Sequence, residues 1–142
     1  MKRFTRCACA VLAVFMLLVT PAFAAETQNS RASMYFTMYS AYLSTVSGNT
    51  FDVCFSVTAT GIMEELGSSV IVVQRRASEN DQWQDVKTYY PSVYKQMIDY
   101  DQVTHSATVR YTGTSGYEYR AYVELYAKNS SGTGYTGAYA YF

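Results

Sequence analysis

The 142-residue chain balances 11 basic against 11 acidic side chains, so it carries no formal net charge. That balance, with no basic stripe along it, excludes the clustered Lys and Arg on which nucleic-acid binding rests. A disulfide framework is excluded too, because Cys7 and Cys9 stand in an apolar leader and only Cys54 lies beyond it.

Residues 1–24 read as an export signal. Lys2, Arg3 and Arg6 precede the apolar run "CAVLAVFMLLV", and Pro21 with Ala22, Phe23 and Ala24 gives a small-x-small cleavage pattern. The run is too short to span a bilayer, and no second run of spanning length follows. The expected product is therefore secreted, without a transmembrane segment. Cleavage would leave 11 − 3 = 8 basic against 11 acidic residues, a net charge of 8 − 11 = −3. An N-terminal extension at 25–32 and one domain at 33–142 complete the expected organisation.

Period-2 alternation between turn signals then predicts seven strands. The first covers about 33–44 and is closed by "SGN". The second, 50–60, alternates Phe51, Val53, Phe55 and Val57 inward, which sets Cys54 on the opposite face with Asp52, Ser56 and Thr58. The third, 69–76, is apolar on both parities in "VIVV", as a central strand is. The fourth, 83–90, halts at Pro91. Over 91–102 the pairs Val93/Met97 and Tyr94/Ile98 at i,i+4 leave a helical turn and a strand equally open. The fifth strand is 103–112. The sixth, 117–128, faces Tyr119, Ala121, Val123, Leu125 and Ala127 one way and Glu118, Arg120, Glu124 and Lys128 the other; "NSSGTG" then turns into a last strand at 134–142. The expected fold is an all-β, two-sheet antiparallel sandwich. Its core should hold the four inward residues of the second strand, Ile71, Val73, Val109, Tyr119, Ala121, Val123 and Leu125. Trp83 is expected to be at least partly buried near the turn before the fourth strand.

"VIVVQRRASENDQWQDVKTY" resembles the third and fourth strands of an immunoglobulin or fibronectin type III module, with a Trp shortly after the turn. "GYEYRAYVELYAKNSSG" resembles that fold's penultimate strand. The chain from 33 onward is also similar to small tyrosine-rich secreted proteins of Gram-positive bacteria. The resemblance implies a sandwich of immunoglobulin or fibronectin type III type; fold by itself implies no function.

Residue chemistry narrows the function classes. His105 is the only histidine, so no His/Cys metal centre and no cofactor is expected. A Cys54–His105 dyad would need a thiol and a base within hydrogen-bond reach, but alternation puts His105 on the core side with Ala107 and Val109, opposite Cys54. Ser106 or Ser115 with Asp99 or Asp101 lacks any nucleophile-elbow spacing. Glu64–Glu65 and Asp99–Asp101 read as loop charges, and "DYDQVTHS" lacks the Gly and closing Glu of a calcium loop. "NSS" at 129–131 fits a glycosylation acceptor in a eukaryotic secretory host. An outer-membrane barrel ending in Phe142 is disfavoured, because Ala140, Ala138 and Thr136 occupy the parity a lipid-facing strand would make apolar.

All 15 tyrosines lie beyond the leader. Tyr122 and Tyr126 face outward from the sixth strand, with Gln74 and Arg76 on the strand beside it, a grouping that suits a sugar ring or a protein surface. The expected function is an exported, non-catalytic binding or surface-interaction module for a glycan or protein, with Tyr122, Tyr126, Gln74 and Arg76 as candidate contacts. The rivals are a small secreted hydrolase using loop carboxylates or Cys54, and a self-assembling structural protein. Self-association would use the last strand, an edge with no Pro or charge to blunt it. Cys54 itself is expected to be a covered thiol on the outer side of its sheet, with no bond to a partner.

Overall fold

The computed structural model describes residues 34–142. The expected signal peptide at 1–24 and extension at 25–32 lie outside the described residues. Within them run eight strands: β1 (Phe36–Ser47), β2 (Thr50–Met63), β3 (Glu65–Arg76), β4 (Gln84–Tyr89), β5 (Ile98–Asp99), β6 (Gln102–Thr112), β7 (Glu118–Asn129) and β8 (Gly132–Ala140). A single 3-10 turn, Lys95–Met97, precedes β5.

Two antiparallel sheets face each other. One has the order β1-β2-β6; the other has β4-β3-β7-β8, with β5 paired to the start of β3. The chain is an all-β sandwich, and the arrangement is compatible with an immunoglobulin- or fibronectin type III-like fold. The seven expected strands are all present, and the open stretch at 91–102 resolves into both of its alternatives in miniature, one 3-10 turn and a two-residue strand.

Alternation explains the seam. Phe51, Val53, Phe55 and Val57 of β2 and Val109 of β6 are buried against Ile71 and Val73 of β3 and Ala121, Val123, Leu125 and Ala127 of β7. Sheets pack about 10 Å apart, so each inward side chain meets apolar neighbours from the other layer. Tyr119, expected inside this core, is only half-buried. It sits at the open end of the seam, and its ring covers Gly113. Its hydroxyl accepts from the Thr114 N–H at 2.7 Å and donates to the Thr114 carbonyl at 3.1 Å. A tyrosine that ties the start of a strand back to the preceding corner is a recurrent device of immunoglobulin-like sandwiches.

Strand β3 starts at Glu65, four residues before the expected start at 69, and a bulge lies between Ser68 and Val70. Leu66 and Ser68 point inward ahead of it and Ile71 and Val73 after it, so parity shifts by one. The buried Ser68 hydroxyl donates to the Glu124 carbonyl at 2.9 Å, with the Val70 carbonyl at 3.1 Å. That bond offsets the cost of a polar group in the core. Beside it, β3 and the 95–98 segment approach so closely that a Cβ at Gly67 would fall on the Met97 carbonyl oxygen. The contact lets Met97 plug the core while fully buried.

On the outer face of the smaller sheet, β2 and β6 are laced by side chains in register. Thr50 meets Thr112 at 3.0 Å, Arg110 grips Asp52 at 2.7 and 3.0 Å, Ser106 donates to Ser56 at 2.9 Å, and Thr104 donates to Thr58 at 3.3 Å. Cys54 occupies the middle rung, where Thr108 donates to its sulfur at 3.6 Å. The lone thiol thus stands where its neighbours carry hydroxyls.

Two substitutions separate packing from backbone freedom. Gly67→Ala should cost more than about 1–3 kcal/mol, since the clash is with backbone rather than a movable side chain. Gly61→Ala, where an added Cβ meets nothing within 4 Å, should be neutral or slightly stabilising. Urea unfolding of both variants checks the contrast. In the same assay Leu125→Ala, in the dry seam, should cost about 2–5 kcal/mol.

Candidate functional site

Outward residues of β3, β4, β7 and β8 form one continuous face on the larger sheet. Antiparallel register builds it in rows: Asp85, Gln74 and Arg120; then Thr88, Val72, Tyr122 and Tyr139; then Val70, Glu124 and Gly137; then Gly67, Tyr126 and Tyr135; then Glu65, Lys128 and Thr133. Tyr122, Tyr126, Gln74 and Arg76 all lie on it.

The polar atoms at the top are already paired. The Gln74 amide donates to Asp85 Oδ1 at 2.6 Å and accepts from Arg120 Nε at 2.8 Å. Arg76 Nε donates to Glu118 Oε2 at 2.6 Å and its other arm reaches the Glu79 carbonyl at 3.1 Å. These bonds aim both guanidiniums at Trp83, which Arg76 overlies at 4.6 Å and Arg120 at 4.4 Å from the ring centroid. Arg120 also lies 4.5 Å from the Tyr139 centroid. A delocalised cation against several ring faces is attracted by their quadrupoles. Gln74 therefore supports a stack whose members are Arg76, Trp83, Arg120 and Tyr139. Trp83 is half-buried beneath it.

Lower down, tyrosines pair across β7 and β8. Tyr122 and Tyr139 have ring centroids 5.2 Å apart, and Tyr126 and Tyr135 5.3 Å apart. Tyr122 and Tyr126 are half-buried in this arrangement. The Tyr122 ring covers Gly137, and Tyr126 donates its hydroxyl to Glu65 Oε2 at 3.0 Å. Lys128 Nζ holds the other oxygen of Glu65 at 2.9 Å and keeps that carboxyl below its usual range. Burial, and then the bond to Glu65, push the Tyr126 phenol up to about 12. The water-facing rings are the partners on β8, Tyr135 at 51% and Tyr139 at 48% exposed.

Alternation predicts that Tyr122 and Tyr126 point outward and sets Arg120 on the same side, but Arg120, Tyr135 and Tyr139 were not among the expected contacts. A signal existed: Tyr135, Tyr139 and Tyr141 share one parity, and pairing β8 with β7 sets that parity beside Tyr122 and Tyr126. Only the register supplies the pairing.

Around its upper edge this face opens into a depression of about 330 Å³ whose lining includes Arg76, Trp83, Tyr117, Tyr119 and Phe142. The Tyr117 ring, against the Arg75 guanidinium at 4.4 Å, forms one wall.

The residues weighed for catalysis are scattered. Cys54 and His105 lie on opposite faces of the β1-β2-β6 sheet. His105 Nε2 is 2.8 Å from the Gln96 carbonyl and Nδ1 is 3.8 Å from Asp99, while its ring packs on Phe55 at 5.7 Å. These contacts pin the 95–99 segment to β6. The cover expected over Cys54 is partial: the thiol is half-buried beside Tyr42, whose phenol is raised first by the charge of the neighbouring sulfur. Ser106 is bonded to Ser56 and Ser115 to Asn49. Among the described residues, no three His, Cys, Asp or Glu side chains cluster as metal ligands. The last strand is an edge, but β1 runs beside it: Tyr35 covers Gly134, and the Leu43 N–H donates to the Tyr141 carbonyl at 3.0 Å.

No family model, no curated protein and no solved structure matches the chain.

The raised phenols set an alkaline limit. Tyr89, buried with its hydroxyl donating to the Arg110 carbonyl at 2.8 Å, is likewise pushed up to about 12. Both groups keep their protons more tightly folded than unfolded, where a phenol titrates near pH 10. Their stabilising contribution is complete below about pH 10 and is lost as pH rises towards about 12. Chemical unfolding at stepped pH should show stability falling through that window. Tyr126→Phe should flatten the fall.

Proposed function

We propose that the domain is the non-catalytic binding module of a secreted protein, and that its recognition surface is the outward face of the β4-β3-β7-β8 sheet. The observation that carries this reading is the Arg120 guanidinium packed against both Trp83 and Tyr139, at 4.4 and 4.5 Å. Trp, Tyr and Arg are the residue types enriched among those that supply most binding energy at protein interfaces. Arg120 is held by its bond to Gln74, which Asp85 holds in turn, and Arg76 by its bond to Glu118. Both guanidiniums are thus fixed before any partner arrives, which lowers the ordering cost of association.

A protein surface is the partner class favoured over a small ligand. The face is a broad sheet of rings with a shallow margin, whereas small-molecule sites enclose most of their ligand. Export is supported by the basic, apolar and small-residue pattern of residues 1–24. The resemblance to immunoglobulin and fibronectin type III modules, and to tyrosine-rich secreted proteins of Gram-positive bacteria, points the same way.

The test is capture from bacterial and host surface extracts, run beside a glycan array. Tyr139→Ala and Tyr135→Ala should each lose about 2 kcal/mol or more of binding, roughly thirty-fold in Kd. Tyr42→Ala, on the other sheet, should lose little. Binding that survives both β8 substitutions but fails in Tyr42→Ala would move the surface to the opposite sheet. Selective glycan capture with no protein capture would overturn the partner class.

A further inference from the structure

The two cross-strand tyrosine pairs have a property that recognition does not need. Each pair is directly opposed in register, Tyr122 to Tyr139 and Tyr126 to Tyr135, and both have the same 54° tilt between rings. One ring of each pair is half-buried on β7, and the other is about half exposed on the sheet-edge strand β8. The pairs differ in one respect. Tyr126 donates its hydroxyl to a carboxylate, Glu65, that Lys128 holds ionised. The Tyr122 hydroxyl has no hydrogen-bond partner among the described residues, and burial raises its phenol. Cys54, the one cysteine among the described residues, is free, so no disulfide fastens β8.

We infer that Tyr126 and Tyr135 are an oxidative coupling site, joined through their rings as a biphenol that staples β8 to β7. The oxidant class is hydrogen peroxide acting through a haem peroxidase. Each phenol gives up one electron. The Tyr126 proton passes along its existing hydrogen bond to the Glu65 carboxylate and then to water; the Tyr135 proton passes to water directly. The two phenoxyl radicals form one carbon–carbon bond at their ortho positions. The two ring hydrogens there then transfer to oxygen, restoring both phenols. The protein loses two protons and two electrons, and one peroxide takes them up to become two waters.

Geometry assigns roles to the residues. Tyr126 stays protonated through the neutral range, with its phenol near 12, so its electron cannot leave cheaply unless the proton leaves too. A phenol that has lost an electron is a strong acid, and Glu65 at 3.0 Å is its nearest acceptor. Glu65 is thus a positioning base for the oxidation. Tyr122 has the Glu124 carboxylate nearby but no hydrogen bond to it, Glu124 accepting instead from Ser69 at 2.6 Å, and should couple to Tyr139 more slowly. Directly opposed residues of an antiparallel pair have Cβ atoms about 5 Å apart, so closure needs side-chain rotation and no backbone shift.

The experiment treats the full chain with hydrogen peroxide and a haem peroxidase and follows biphenol fluorescence, intact mass and fragment spectra. The expected result is a monomer two hydrogens lighter, with the bond between 126 and 135. Tyr135→Phe, conservative at an exposed position, should abolish that product. Glu65→Gln should slow it by about ten-fold or more while leaving coupling of Tyr122 to Tyr139 at its original rate, which a loss of fold would not do. The inference is overturned if the bonds join different copies, if an exposed tyrosine outside the pairs such as Tyr90 reacts as fast as the pair, or if Glu65→Gln changes nothing.

Discussion

Everything in this molecule hangs on the dry seam between its two sheets. Val53, Phe55 and Val57 on one side meet Ile71, Val73, Val123 and Leu125 on the other, all fully or almost fully buried. Burial of such side chains is worth about 25 cal/mol per Å² of apolar surface, and it must offset the chain entropy lost by some hundred ordered residues. A slip of one residue in any strand would turn these side chains to water and their polar neighbours inward. The seam therefore fixes register, and register fixes which outward residues meet.

From that follow the two outer faces, which differ in kind. On the smaller sheet the rungs between β2 and β6 are short hydroxyls, with Cys54 as a sulfur among them and Arg110–Asp52 as the ionic rung. Their side chains satisfy one another across the strands. On the larger sheet the rungs are rings and guanidiniums, carrying more apolar area outward than the seam requires. Ring-on-glycine contacts fit both sides of β8: Tyr122 lies over Gly137 on the outer face and Tyr35 over Gly134 on the inner one, where a Cβ would collide. Glycine in β8 weakens a strand on its own account, and the aromatic covers offset that loss. Its glycines and neighbouring tyrosines are therefore one packing solution.

The closing end shows the same economy. Phe51, Tyr111, Tyr119 and Phe142 form a ring cluster with centroids 5.3 to 5.8 Å apart. Tyr119 anchors the 113–114 corner while shielding the end of the seam. At the other end, Met97 and the His105 contacts draw the 95–99 segment across the gap between sheets. Each opening is covered by residues that also hold a loop in place.

The amino-acid pattern alone determined the fold class, the seven long strands, the inward set of β2 and β7, and the outward direction of Cys54, Tyr122 and Tyr126, because side-chain direction in a strand repeats every two residues. Three features escaped it. The bulge in β3 changes parity at Ser69, where the alternation of the expected strand only begins, so Leu66 and Ser68 were not seen as inward. Met97 is buried by a single 3-10 turn too short to leave a period. The stack of Arg120 with Trp83 and Tyr139, and the pairing of Tyr126 with Tyr135, depend on residues 9 to 37 positions apart meeting across strands. Alternation says which way a side chain points, but its neighbours are chosen by strand order and register. Those are set by how the whole seam packs, and only the tertiary structure decided them.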